Sequence, residues 1–425
     1  MKKIFIPILS VTLLFAGCSE DYLDPTKPSQ ELVIGTRDGI IGAANGLQQL
    51  WSVDRISPVY TTITGNGFTT KELRLLNAGN VDEGELSVGG QVLSTKNGVV
   101  NNLWSQCLII NSESQKVLDN INVLTLENER ASVFTHASIF KALALSTLVQ
   151  YFESVPLKTA KNASFNTRTE VLNVAIETLK ATESSLDKAT GFTGLTNSLN
   201  YKNTVYALLA RIYLIAGDND NALKYANLVD LNVKSVFGYD QIGVNPIAFV
   251  SITTNNVFQP IDLTLGLPTT LAPDSSDGRL NFYIKPGSNP TTATGFFDTN
   301  IKSIPVYLPG EIMLIKAEAY ARKDNVPQAI IELNKVLTKT AATDVYGIGA
   351  NLTPYAGIVT KEAVLEQIYR NRCIEMYMSG LKLEDSRRFN RTGAGVNGAE
   401  RNRNWYPYPD SERNNNTNTP VDPSL

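Results

Sequence analysis

The chain of 425 residues holds one histidine, His136, and three cysteines, Cys18, Cys107 and Cys373. A Ser/His/Asp triad therefore has a single possible base, and a metal site built on two histidines cannot be assembled. Three thiols are too few for a cysteine-rich zinc site or a disulfide framework, although a Cys107–Cys373 bridge stays open in an oxidising compartment. A glycosidase would need two carboxylates facing each other across a cleft. Glu318 and Glu375 instead stand beside Arg322 and Arg372 on helical stretches, which points to ion pairs at a helix packing surface. His136 lies mid-helix among Thr135 and Ser138, Cys107 on an apolar helix face and Cys373 in a charged helix. These read as structural groups. The sequence thus predicts a non-catalytic protein with no cofactor and no metal.

Binding chemistry is better supplied. A ligand with apolar ring faces and a polar rim needs a site of aromatic platforms flanked by amides, carboxylates or guanidinium. Two stretches without helical period, 54–98 and 237–306, hold that mixture. The first contributes Tyr60, Asn66, Phe68, Arg74 and Asn77 among seven glycines. The second contributes Tyr239, Phe258, Arg279, Phe282, Tyr283, Phe296 and Phe297 among seven prolines. From these, Tyr60, Asn66, Phe68, Arg74, Arg279, Tyr283 and Phe296 are the predicted ligand residues. The 39 asparagines supply turns, caps and further amide partners. A formal net charge of -3 gives no electrostatic reason to bind nucleic acid.

The elements that must position these residues are helices. Ile40, Ile41, Ala44, Leu47, Leu50 and Trp51 recur at three and four within Thr36 to Val53, one buried stripe. The same period marks Val99 to Ile121 with Val133 to Phe152, Glu170 to Leu186 with Tyr201 to Ile215, and then Glu311 to Arg322, Pro327 to Thr338 and Lys361 to Gly380. Shifted by 107 positions, Ala210, Tyr213, Ala222 and Val229 fall on Ala317, Tyr320, Ala329 and Val336. Both copies read as helix, short turn, helix, with small alanines at the crossing. Tetratricopeptide units are built that way. Asp324 or Asn325 would cap the second helix of the later copy, with Pro327 in its first turn.

The amino end reads as a leader. Met1-Lys2-Lys3 precedes an apolar run, Ile4 to Ala16, too short to span a membrane. Leu14 to Cys18 resembles a bacterial lipobox, which implies removal of 1–17 and lipidation of Cys18. Residues 18–35, with Pro25 and Pro28, form a tether. One domain follows over 36–425, with hairpins near 99–155, 170–230, 308–340 and 361–380.

Five segments together resemble the SusD/RagB family of outer-membrane nutrient-binding lipoproteins. They are the lipobox with Asp21-Tyr22-Leu23; Phe140-Lys141-Ala142-Leu143 leading to Tyr151-Phe152 and Val155-Pro156-Leu157; and Ala207 to Leu214. The fourth runs from Pro309 through Gly310 and Glu311 to Arg322. The last comprises Ile368, Arg370, Arg372, Glu375, Met376, Gly380, Asp385, Arg387 and Arg388, ending in Tyr408 to Glu412. The resemblance implies a mainly α, SusD-like helical scaffold with tetratricopeptide-type hairpins, loop-rich insertions and minor β. It also implies lipid anchoring at the outer membrane facing outwards, and a SusC-type TonB-dependent transporter as partner. Its implied function is capture of an oligomeric nutrient, a glycan before a peptide. A structural adaptor and a degradative enzyme are the readings from other classes.

Overall fold

The computed structural model describes residues 34–195 and 198–424. The leader, Cys18 and the tether up to residue 33 lie outside the described residues. Helix α1 (Arg37–Ser52) begins where the Thr36 side chain accepts the Gly39 N–H at 3.1 Å, and it buries Ile40, Ile41, Ala44, Leu47 and Trp51 as the spacing requires.

The stretch 54–98, expected to be loop-rich, instead carries two helices, α2 (Pro58–Thr69) and α3 (Val81–Val88). Ser57 caps α2 and Pro58 occupies its first turn. The glycines that suggested loop serve close packing. A Cβ on Gly65 would stand 2.8 Å from the Tyr406 hydroxyl, and one on Gly67 would stand 2.5 Å from Leu73 Cδ1. Only a residue without a side chain lets α2 approach so near.

Helices α4 (Gly98–Asp119) and α5 (Glu127–Tyr151) form the first hairpin. α5 starts six residues before the apolar period suggests, because Glu127 and Glu129 sit in its first turn and Glu129 pairs with Arg37. By length and composition α5 could cross a membrane, but it is a core helix, buried on most of its surface against α1, α4, α6 (Arg168–Lys180) and α7 (Tyr201–Ala216). The Thr167/Glu170 capping box opens α6.

The repeat is real as structure. Helix α7 with α8 (Asn219–Ala226) forms one hairpin, and two elements on, after the short α9 (Gly278–Tyr283), α10 (Pro309–Arg322) and α11 (Val326–Leu337) form the other. Ala210, Ala222, Ala317 and Ala329 are fully buried at the crossings. α10 packs on both α7 and α8, so the copies lie side by side although 237–306 separates them in sequence. Ion pairs Arg211–Glu311 (2.5 Å) and Lys323–Asp220 join them. Leu314, Ala321, Leu333, Val336, Val364 and Ile368 fill a second core between α10, α11 and α12 (Lys361–Glu375), where each fully buried Leu, Ile or Val contributes about 1.5–3 kcal/mol.

The expected helix 361–380 breaks after Glu375. A turn through Met376 to Leu381, with Met378 at φ +55° and Gly380 at φ +81°, leads into α13 (Lys382–Arg388), and α14 (Asp410–Asn415) follows near the carboxy end. Strands are few and short. β1 (Leu73–Leu75) pairs antiparallel with β5 (Phe258–Pro260), β2 (Ser154–Pro156) with β3 (Phe165–Thr167), and β4 (Val236–Phe237) with β6 (Ile304–Pro305).

Candidate functional site

The groups weighed for catalysis are interior supports. His136 is fully buried with Nδ1 3.2 Å from the Tyr201 hydroxyl, and burial lowers its pKa to about 4, so it is neutral. Cys107 and Cys373 are both buried free thiols, so the disulfide left open by the sequence is not formed. Burial raises the pKa of each, that of Cys373 to about 12, which makes them poor nucleophiles. Glu318 pairs with Arg322 as its spacing suggests, at 2.7 Å, and also with Arg388. Glu375 does not pair with Arg372. It meets Arg279 at 3.2 Å and Lys339, while Arg372 turns to Asp385 at 2.8 Å.

Most of the predicted ligand residues are likewise inside. Tyr60 is 1% exposed, and its hydroxyl donates to Glu83 at 2.8 Å, a carboxylate that Arg55 also holds. Phe68 sets its edge on Phe258, with centroids 6.0 Å apart. Asn66 donates from Nδ2 to Glu72 at 2.7 Å and accepts the Leu383 N–H at 2.7 Å. Burial raises the Glu72 pKa to about 7 against the opposing pull of Lys382. Arg279, fully buried, is held by Asp277, Glu375 and Asn371. Tyr283 donates to the Glu375 carbonyl at 2.5 Å. The exposed platforms expected at Tyr60, Phe68 and Tyr283 are therefore not platforms. Their polar atoms find partners within the chain, and their rings are worth more packed than wet. Phe296 is also buried and lies with Tyr283 on the wall of an internal cavity.

Arg74 differs. It sits half-exposed on β1 and donates to the carbonyls of Pro260 at 3.2 Å and Thr291 at 3.0 Å. Those bonds, the β1–β5 pairing and the Asn80 Nδ2 bond to the Asn256 carbonyl at 2.9 Å weld the two predicted regions into one face. The face exposes Asn77, Ala78 and Val81 from the first region, and Thr253 to Asn256, Asn289 and Pro290 from the second. Asn77, Asn255 and Asn256 use their Oδ1 atoms within the loops, accepting from Gly79 N–H, Gln259 and Thr254. Their Nδ2 groups have no hydrogen-bond partner among the described residues. Phe249, whose carbonyl accepts the Thr254 N–H at 2.9 Å, is at 38% exposure the large exposed aromatic of the described residues. Sequence reading missed Phe249, Asn255 and Asn256, because Phe249 lies in a β-branched run and the asparagines pass for turn formers. Their density in one helix-poor stretch was the available signal.

The comparisons agree with this architecture. The SusD family profile matches residues 262–422. Among curated proteins, none matches the chain. A SusD homolog from Bacteroides thetaiotaomicron superposes with a TM-score of 0.72 at 11% identity, covering 94% of this chain and 99% of its own. A SusD-like carbohydrate binding protein from Bacteroides vulgatus gives 0.68 at 17%, covering 90% and 97%. B. fragilis NanU gives 0.66 at 13%, covering 94% and 99%. Residues 262–422 therefore carry the SusD family signature, on a chain whose fold is that of SusD-superfamily proteins.

Proposed function

We propose that this chain captures an oligomeric nutrient, a glycan in the first instance, on the face where 74–81 and 249–291 meet, and hands it to a SusC-type TonB-dependent transporter. The observation that carries the reading is the set of exposed amides, Asn77, Asn255 and Asn256, on the face built by the β1–β5 pairing, with the exposed Phe249 in the segment that leads into Asn255. Amide donors suit hydroxyl and ring oxygens, and a flat apolar patch suits the C–H face of a sugar ring. Arg74 fixes the floor of that face rather than reaching for ligand. Capture of this kind forms and breaks no covalent bond. The carbohydrate-binding relative on the same fold supports a glycan over a peptide.

Calorimetry against a panel of oligosaccharides is expected to find a ligand. Phe249→Ala should weaken it about tenfold and Asn256→Ala by a smaller factor, with thermal stability held. Binding of oligopeptides alone would replace the glycan by a peptide, and turnover of any substrate would sink the capture reading.

The anchor belongs to the same proposal: removal of 1–17, a lipid on Cys18, a tether to residue 35, and a single binding unit beyond it on the outward side of the outer membrane. Cys18→Ala is expected to abolish fatty-acid labelling and to release the protein from membranes. Retention of both would exclude lipidation at this cysteine.

A further inference from the structure

Between the α2–α5 pair and the 296–308 segment lies a cavity of about 110 Å³, separate from the exposed amide face. Its walls are mainly apolar and aromatic, including Phe237, Tyr283, Phe296, Met376 and Trp51, whose indole Nε1 is buried with no hydrogen-bond partner among the described residues. One strip is polar. Ser146, Thr147 and Gln150 follow one another on the last turns of α5, so their side chains share a face. The strip is also incomplete. Gln150 is 5% exposed, its Nε2 donates to the Ser146 carbonyl at 2.9 Å, and its buried Oε1 has no hydrogen-bond partner among the described residues. Because Nε2 must face a carbonyl, the amide cannot be turned over, and the orphan atom is an acceptor.

The cavity has a mouth. Ser379 is exposed, Thr62 and Leu381 are half-exposed, and all three line it. They belong to α2 and to the turn in which Met378 takes its positive φ. Tyr151 pins that turn, donating to the Gly380 carbonyl at 2.8 Å.

A buried acceptor left empty costs about 1–3 kcal/mol, and an apolar void loses the contacts that would otherwise line it. One molecule relieves both deficits. We propose that this cavity is a second ligand site, taking a ring-sized, mainly apolar molecule that carries one hydrogen-bond donor, with the ring among Trp51, Phe296 and Met376 and the donor on Gln150 Oε1. A cavity of roughly 150 Å³ lined by Leu, Ile and Phe accepts benzene, which places a single ring at the right scale. A glycan chain is too large and too polar for it, so the site is independent of the amide face.

Phenol and benzene serve as probes, followed by calorimetry and ligand-observed NMR on the Cys18→Ala chain, which the anchor reading expects to be free of membranes. Phenol is expected to bind about tenfold more tightly than benzene, the difference one hydrogen bond to a buried orphan acceptor makes. Gln150→Leu, which keeps the size and removes the acceptor, should bring the two probes to equal affinity while glycan binding at the amide face is unchanged. The ratio measured with Gln150 in place needs no further variant, so a Gln150→Leu that fails to fold does not spoil the test. Binding of neither probe, no preference for phenol, or a preference that survives Gln150→Leu would overturn the proposal. Loss of glycan capture with phenol binding intact would overturn the glycan reading alone.

Discussion

Gly310→Ala is expected to destabilise the fold by about 3–5 kcal/mol, the cost of breaking a buried ion pair. The residue is in the first turn of α10, where helix propensity alone would make alanine better by about 1 kcal/mol. Packing reverses the sign. A Cβ on Gly310 would stand 2.6 Å from Glu375 Cγ and closer still to the carboxylate. That carboxylate cannot retreat without leaving Lys339 and Arg279, and all three side chains are nearly or wholly inaccessible to water. Gly42 is the control. It lies in α1 with nothing within 4 Å of its Cβ position, so Gly42→Ala should stabilise by about 0.5–1 kcal/mol. Urea unfolding of the two variants tests the argument; equal effects would show that the Glu375 contact carries no energy.

Glu318→Gln is expected to cost about 3 kcal/mol at pH 7. Its carboxylate is fully buried and accepts from Arg322 Nε at 2.7 Å and from Arg388 Nε and Nη2 at 2.7 and 2.9 Å, with Arg372 Nε 3.8 Å away. Burial alone would raise its pKa. Arg388 above all, then Arg372 and Arg322, overcome that and bring it down to about 2. The fall from the usual 4.5 corresponds to about 3 kcal/mol of stability. A depressed carboxylate pKa fixes the sign with pH. The contribution is complete above about pH 4.5 and is lost as pH falls towards 2, because the unfolded chain takes up the proton first. Unfolding at pH 7 and pH 3 should therefore show the wild type losing part of this term and Glu318→Gln losing none of it. A variant as stable as wild type at pH 7 would mean that Asp385, which also pairs with Arg372 and Arg388, compensates fully.

Both predictions turn on residues within the segments that carried the family resemblance, Glu318 as part of the pattern and Gly310 as a departure from it, and the structure gives each a reason. Gly310 is where the Glu375 carboxylate needs room. Arg372, Asp385 and Arg388 close on Glu318 to tie α10, α12 and α13 together. Such motifs report on scaffold, because a buried charge network tolerates little change in geometry. They do not report on ligand, so the matched segment 262–422 shows the fold without naming what the exposed face holds.

Helices α1, α4, α5, α6, α7, α10, α11 and α12 were legible because their apolar residues recur at three and four, a spacing that a one-dimensional string preserves. The hairpin repeat was legible for the same reason. Region 54–98 was misread because glycine in a string marks a turn, whereas Gly65 and Gly67 mark a close approach to residues as distant as Tyr406. The aromatic candidates failed in a related way. Tyr60, Phe68, Arg279 and Tyr283 carry the right chemistry for a ligand, but that chemistry also suits a buried brace, and only three-dimensional neighbours such as Glu83, Phe258 and Glu375 choose between the two.

The sequence by itself therefore determined the helical scaffold and the repeated hairpin, since period and residue type are local properties. Tertiary structure alone decided which polar groups face water. Asn77 and Asn256 meet on one face because β1 pairs with β5, and the Gln150 acceptor lies in a cavity walled by elements from across the chain. Those contacts span up to hundreds of residues, and no local pattern encodes them.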